Sequence, residues 1–426
     1  GLSGEYIESG SSGAPTRGRL DILPTGRNFY SVDIRTVPTL AAYEIGARSA
    51  QLVIERYVQE QGQYPKSIGL SIWGTSTMRT GGDDFAQALA LIGVRPIWDQ
   101  LSRRVIDFEI IPVNVLGRPR VDVMLRISGF FRDAFPDLIS LYNNVTARIA
   151  QLDEPLESNP LRESFLNEKQ TWSDKGLDEG ESEKRSLYRV FGSKPGSYGA
   201  GLQALIEDRS WDTSDDLAEA YIQWSSYAYG ESGPKSAGEV FKTRLSQLEV
   251  VLHNQDNREH DILDSDDYYQ FQGGMVNASR AVSGKQPEAY FGDHANPSNI
   301  RVKSLKEELL KVYRSRVINP KWIESIKKHG YKGAFEMAAS VDYMFAFDAT
   351  TNLVQDFMYE GIAESYLLDP ENRKFIEEKN PWALRDMTER LLEAIQRKMW
   401  SEPSNEVRRK LEDLLIASEG VLEEDM

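Results

Sequence analysis

The run KSIGLSIW, residues 66–73, constrains the fold more than any other stretch. It is almost wholly apolar and is bounded by YPK and GTS. A half-exposed strand alternates apolar with polar residues. A short continuous apolar run implies a strand buried on both faces, as in parallel sheets covered by helices on each side. The flanking sequence agrees. Leu40, Tyr43, Ala47, Ala50, Ile54 and Tyr57 recur at three- and four-residue steps, which predicts a helix over 39–61 with Thr39 as its N-cap. DDFAQALALIGV reads as a second helix, RPIWD and FEIIPV as short strands, and RVDVMLRIS as a further strand. FFRDAFPDLISLYNNVTARIAQL turns helical after its Phe-rich start. This alternation predicts an α/β fold, a mainly parallel sheet with flanking helices, followed by a largely helical C-terminal region.

Four regions are expected. Residues 1–40, rich in Gly, Ser, Pro and Arg, form an N-terminal arm, and 41–150 the α/β domain. Residues 151–300 form a mixed α/β region that opens with a charged, exposed helical or loop excursion over 151–190. Within it we expect a helix near 214–227, a Gly-rich turn at AYGESGPKSAGE and helical spacing through FKTRLSQLEVVLHNQD. A helical stretch should break at Gly273 and Gly274 and reopen as a helix, and a short strand should end in the polar loop of YFGDHANPSN. Residues 301–426 form the helical C-terminal region, where Asn319-Pro320 and Asn380-Pro381 each read as an N-cap with Pro at the first helical position. Leu384, Met387, Leu391, Leu392 and Ile395 share one apolar face.

Composition excludes several classes of function. The 426 residues carry a formal charge of −16, so phosphate-backbone and anionic-membrane binding are disfavoured. There is no cysteine, hence no disulfide, thiolate nucleophile or Cys-ligated metal. The four histidines show no HExxH spacing. No apolar run is long enough for a membrane span, and no basic-then-apolar leader opens the chain, so a cytoplasmic location is expected. The first residue is Gly rather than Met, which suggests a fragment or a processed form.

Three loops could carry chemistry. The stretch Gly74–Gly82 follows the apolar strand and precedes a helix, the place where open α/β sheets hold ligands. It lacks GxxxxGK[ST] and is not a P-loop. Thr75, Ser76, Thr77 and Thr80 offer hydroxyls, and Arg79 offers a fork for a carboxylate. Asp83 and Asp84 either complement the dipole of the next helix or face a ligand. SGFFRDAFPD has the same form, with Arg132 beside Asp133, and suggests a cleft lined by Arg and Phe or else a simple ion pair. Asp293 and His294 could accept protons or ligate a metal, but adjacent strand residues converge only where the strand has ended. His253 and His260, in the polar stretch HNQDNREHD, read as surface residues, and His329 as a helix C-terminal cation.

Taken in order, LPTGRNFYSVD, YPKSIGLSIWGTSTMRTGGDDFAQALALIGVRP, LGRPRVDVMLRISGFFRDAFP, RVFGSKPGSYGAG, YFGDHANPSNIRVKSLKEEL and NPKWIESIKKHGYKGAFE resemble one family. It is the large subunits of class I tetrapyrrole chelatases, those of aerobic cobaltochelatase and of magnesium chelatase, and the resemblance is to their C-terminal third. WGTSTMRTGGDD and RNFYSVD resemble the cobalt branch; the magnesium branch tends to carry WGTD and a His in place of Tyr30.

The resemblance implies ATP-dependent insertion of Co2+, as substrate, into hydrogenobyrinic acid a,c-diamide in cobalamin biosynthesis. ATP would be hydrolysed by AAA+ partner subunits, in keeping with the missing P-loop here. Metal insertion needs proton acceptors, a group that strips water from the ion, and apolar walls with Arg or hydroxyls for the ring's peripheral acids. Asp293 and His294 suit the catalytic role, with Asp293 also meeting the metal. Arg27, Thr75, Arg79, Thr80 and Arg132 suit the peripheral acids. Asp293 falls where both branches carry Asp; His294 departs from both patterns. The family's large subunit is longer than this chain, so the isolated piece is expected to be inactive. Two alternatives stand beside this reading: a magnesium chelatase-like protein acting on protoporphyrin, and a non-catalytic scaffold that docks the AAA+ partners.

Overall fold

The computed structural model describes residues 2–8, 10, 20–24 and 32–424. They fall into two compact units that do not follow chain order. The first comprises 1–202, 218–258 and 278–303; the second comprises 203–217, 259–277 and 304–426.

The first unit is built on an eight-stranded sheet in the order β10-β9-β8-β1-β4-β5-β6-β7. Its strands are β1 Ser67–Ile72, β4 Asp122–Ile127, β5 Val190–Gly192, β6 Tyr227–Gly230, β7 Gly233–Ser236, β8 Val250–Gln255, β9 Glu288–Asp293 and β10 Arg301–Ser304. β2 Val94–Trp98 and β3 Val105–Ile110 form a separate antiparallel ribbon. β1 pairs in parallel with β4 (Ser67↔Asp122 to Ile72↔Ile127) and with β8 (Ile68↔Val250), and β8 pairs in parallel with β9 (Val250↔Glu288 to Gln255↔Asp293). β6 and β7 close the β5 side as an antiparallel hairpin.

All six residues of β4 and of β8 are buried, as are five of the six in β1 and in β9. Burial on both faces is what the apolar run at 66–73 implied. RVDVMLRIS, read as a further strand, forms β4 and is covered on both faces as well. Fully burying side chains such as Leu70, Ile72, Leu125 and Leu252 contributes roughly 1.5–3 kcal/mol each.

Helix α1, Leu40–Gln61, starts where Thr39 accepts from the Ala42 amide and ends at Gly62. It lies against α3, Asp83–Ile92, every residue of which is buried. Gly46 permits that approach: a Cβ there would stand 2.5 Å from the Gln87 amide nitrogen. The stretch 74–82, read as a loop, is mostly a short helix, α2 Gly74–Thr80. Gly81 and Gly82, at φ 78° and 99°, then turn the chain into α3 through a left-handed conformation that side chains rarely adopt.

Other expectations are corrected. The helix through FKTRLSQLEVVLHNQD ends at Gln247, and Val250–Gln255 is strand β8. AYGESGPKSAGE is the β6–β7 hairpin rather than a turn alone. The segment 151–190 forms helices Pro160–Asp174 and Glu179–Leu187, with Leu161, Phe165 and Trp172 buried. Its charge misleads because part of it is paired internally. Glu168 meets Arg244 at 2.5 Å and Asp122 meets Arg189 at 2.5 Å, all four side chains being buried.

The second unit is helical. Its principal helices are Leu305–Val312, Pro320–Ile326, Tyr331–Thr351, Asp356–Ile362, Pro370–Lys379, Pro381–Gln396 and Asn405–Glu424. Asn319 and Asn380 cap helices with Pro at the first position, as their sequence indicated. Leu384, Met387 and Leu391 are buried with Met344, Phe345 and Phe347 in the core. The helix expected after the glycines is present as Gly274–Ser283, but no break precedes it: a π-helical turn at Tyr269–Gly273 leads directly into it. Among the described residues no helix is long and apolar enough to cross a membrane.

Candidate functional site

From β1 the chain moves to β4 and β5 on one side of the sheet, then returns to place β8 and β9 on the other. The connections therefore leave β1 and β8 in opposite directions. In open α/β sheets the crevice outside the carboxyl ends of two such strands is where ligands sit. Trp73 and α2 follow β1, Asp256 follows β8, and Asp293 ends β9.

At the outer rim Arg79 binds Asp256 at two points, Nε to Oδ2 at 2.6 Å and Nη2 to Oδ1 at 2.8 Å. The Ser76 hydroxyl donates to the same carboxylate at 3.3 Å. Burial pushes the Asp256 carboxyl up, but Arg79 outweighs it and holds the group below its ordinary range. One strand further on, Arg258 Nη2 meets Asp293 Oδ2 at 2.6 Å, with Arg258 exposed and Asp293 nearly enclosed. Behind the rim the Trp73 ring meets His253 edge-on at 6.1 Å. His253, expected at the surface, is fully buried because it lies on a central strand.

Deeper still is a polar cluster. Ser49 Oγ lies 2.7 Å from His294 Nε2 and accepts from Gln87 Nε2 at 2.8 Å. Asn254 Nδ2 donates to Gln87 Oε1 at 2.6 Å and to Asp84 Oδ1 at 2.9 Å. His294 Nδ1 lies 4.0 Å from both Asp83 Oδ2 and Asp84 Oδ1. None of these six side chains is more than 3% exposed. The two aspartates open α3, whose N-terminal dipole favours negative charge.

The candidates named from the sequence therefore separate. His294, Asp83 and Asp84 come together inside the protein. Asp293 and His294 engage different partners, since the strand ends between them and His294 turns inward to Ser49. Arg79 stands at the rim, and Thr75 is exposed on α2. Thr80 is enclosed: its hydroxyl donates to the Ser76 carbonyl and accepts from the Gly82 and Asp83 amides. Arg132 is buried and committed to Asp133 and to the Lys194 and Ser197 carbonyls. Its ring neighbour Tyr198 is exposed, as is Phe130. Arg27 lies outside the described residues. Among the described residues no group of three or more His, Asp or Glu side chains is arranged to hold a metal ion.

Sequence reasoning passed over Ser49, Trp73, Gln87, Asn254, Asp256 and Arg258. One signal was available: VVLHNQD is an apolar run ending in polar residues, the same form as LSIWGTS.

A family model described as CobN/Magnesium Chelatase matches residues 1–407. The chain is 55% identical over 416 residues to the aerobic cobaltochelatase subunit CobN of Pseudomonas aeruginosa, covering 97% of this chain and 33% of that protein. It is 35% identical over 434 residues to a magnesium-chelatase subunit of Chlorobaculum parvum, covering 100% of this chain and 33% of that protein. The solved catalytic subunit of cobaltochelatase from Mycobacterium tuberculosis superposes with a TM-score of 0.92 at 48% identity, over 98% of this chain and 35% of that one. The chain thus spans about a third of the length of the curated relatives it matches. With nearly its whole length matched in sequence and in fold, the chain belongs to the CobN/magnesium chelatase family.

Proposed function

We propose that this chain is the macrocycle-handling part of the large subunit of an ATP-dependent cobaltochelatase, which inserts Co2+ into hydrogenobyrinic acid a,c-diamide in cobalamin biosynthesis. One observation carries the reading: cationic, carboxylate and aromatic side chains gather at the β1/β8 switch point, with Arg79–Asp256 and Arg258–Asp293 at its rim and Trp73 behind them. A corrinoid offers an apolar ring with peripheral acid groups. Exposed Phe130 and Tyr198 suit the ring, and Arg79 with the Thr75 hydroxyl suits the acids. Asp293 takes protons from the ring nitrogens and meets the incoming ion once Arg258 swings away. His294 acts from behind, on Asp83 and Asp84, rather than on the ring. Arg132 and Thr80 serve by holding the rim in shape.

The higher identity to the cobalt relative, 55% against 35%, favours cobalt over magnesium. ATP is hydrolysed by AAA+ partner subunits, a division of labour that suits a strand-to-helix segment without a P-loop.

Titration with hydrogenobyrinic acid a,c-diamide and, separately, with protoporphyrin, followed through the eight tryptophans, tests the reading. Saturable quenching by the corrinoid alone is the expected result. Preference for the porphyrin would favour the magnesium reading, and no quenching by either would remove the macrocycle site from this chain.

A further inference from the structure

We infer that Asn254, Gln87 and Ser49 are positioning residues that lock His294 in one tautomer, with its proton on Nδ1 and that N–H facing the Asp83 and Asp84 carboxylates. The inference goes beyond the proposed function and does not depend on it.

The direction of each hydrogen bond follows from its neighbour. Asp84 lies in the first turn of α3, where the helix dipole favours a carboxylate, and a carboxylate only accepts, so the Asn254 group 2.9 Å from Asp84 Oδ1 is its amide nitrogen. The same nitrogen lies 2.6 Å from Gln87, which must present its carbonyl oxygen there. The Gln87 amide nitrogen is thereby turned to Ser49, and the Ser49 oxygen accepts from it at 2.8 Å. One proton remains to be placed, that of the Ser49 hydroxyl. Its other partner is His294 Nε2, at 2.7 Å. Ser49 is fully buried, so a hydroxyl proton without an acceptor would forfeit its hydration for nothing. The hydroxyl therefore donates, and Nε2 presents its lone pair.

A neutral imidazole with an accepting Nε2 carries its proton on Nδ1. A protonated ring fails the same test, because Nε2–H and the Ser49 hydroxyl would both be donors on one contact. Nδ1 is the atom 4.0 Å from both carboxylates. The ring thus turns its N–H edge toward the two adjacent buried carboxyl groups of Asp83 and Asp84. In this arrangement His294 has no lone pair to offer a metal ion or a ring proton. The relay spans three elements: Ser49 on α1, Gln87 on α3 and Asn254 on β8.

The test uses the full chain with histidine-selective 15N labelling. Only four histidines are present, and His294 is identified as the signal missing from His294→Gln. Long-range proton–nitrogen correlations separate a protonated ring nitrogen from an unprotonated one. The expected result is an unprotonated Nε2 and a protonated Nδ1. A protonated Nε2, alone or in an imidazolium ring, overturns the inference. Gln87→Glu supplies the sharper readout. At a pH where the new carboxyl is ionised, its second oxygen only accepts, so the Ser49 hydroxyl turns to it and Nε2 must become the donor. The proton then appears on Nε2. An unchanged ring in Gln87→Glu would mean that the relay does not set the tautomer. If that variant fails to fold, the wild-type spectrum still decides.

Discussion

Asp256 and Arg79 join the loop after β8 to helix α2 through a two-point ion pair in which only one partner is enclosed. The Asp256 side chain is 7% exposed and that of Arg79 is 45% exposed. Truncating the enclosed partner should cost stability, yet solvent screening at Arg79 limits the loss. We expect Asp256→Asn to lose about 1–2 kcal/mol at neutral pH. The Asp256 carboxyl sits below its ordinary 3.8 when folded. Its contribution is therefore complete above that value and is lost as the pH falls through the lowered one. Urea unfolding at pH 7 and in acid should show the gap between wild type and variant narrowing. A gap that stays constant would sink the ion-pair account.

Arg79 is the exposed partner of that pair and the one that can reach a ligand. Arg79→Ala is expected to weaken corrinoid binding about tenfold, the loss of one charge-assisted contact of about 1.4 kcal/mol. The unfolding midpoint should fall as well, by at least as much as in Asp256→Asn, because the enclosed Asp256 carboxylate loses the partner that offsets its burial. Equal affinity in wild type and variant would remove Arg79 from the proposed binding surface.

Gly46 sets the distance between α1 and α3. Gly46→Val should push the helices apart, at a cost of about 1–3 kcal/mol or more, since a Cβ would stand 2.5 Å from backbone nitrogen. The same displacement should separate Ser49 from Gln87 and alter the His294 ring signals. Stability and spectra matching wild type would show that the helices tolerate the added volume.

Trp73 is half-buried just past the C-terminal end of β1, edge-on to His253. If the macrocycle binds there, Trp73→Phe should keep the affinity and lose a large part of the quenching. An undiminished signal would place the ring near other tryptophans.

Asp293→Asn, introduced into the full-length subunit within its assembly, should abolish metal insertion while macrocycle binding survives, because it removes a proton acceptor and leaves the walls. Insertion at the wild-type rate would favour the scaffold reading.

The strands and helices that could be read from the sequence were those whose burial leaves a local trace. β1 shows as an apolar run, α1 as a helical stripe, and Asn319-Pro320 as a cap. β8 was hidden because LSQLEVVL satisfies helical spacing as well as strand burial, and only pairing with β1 and β9 decides between them. The segment 151–190 seemed exposed because Glu168 carries charge. Its partner Arg244 arrives from another helix, and no local pattern announces it.

The α/β class and the family are legible in local sequence, because apolar periodicity and long motifs are properties of neighbouring residues. Which polar groups lie inside is set by contacts between distant parts of the chain. Ser49 and His294 meet from positions 245 residues apart, and Asn254 reaches Asp84 across 170. A serine, a glutamine or a histidine is ordinary at a surface. It becomes a buried relay only when the fold brings its hydrogen-bond partner, since an enclosed polar group is stable only in that company.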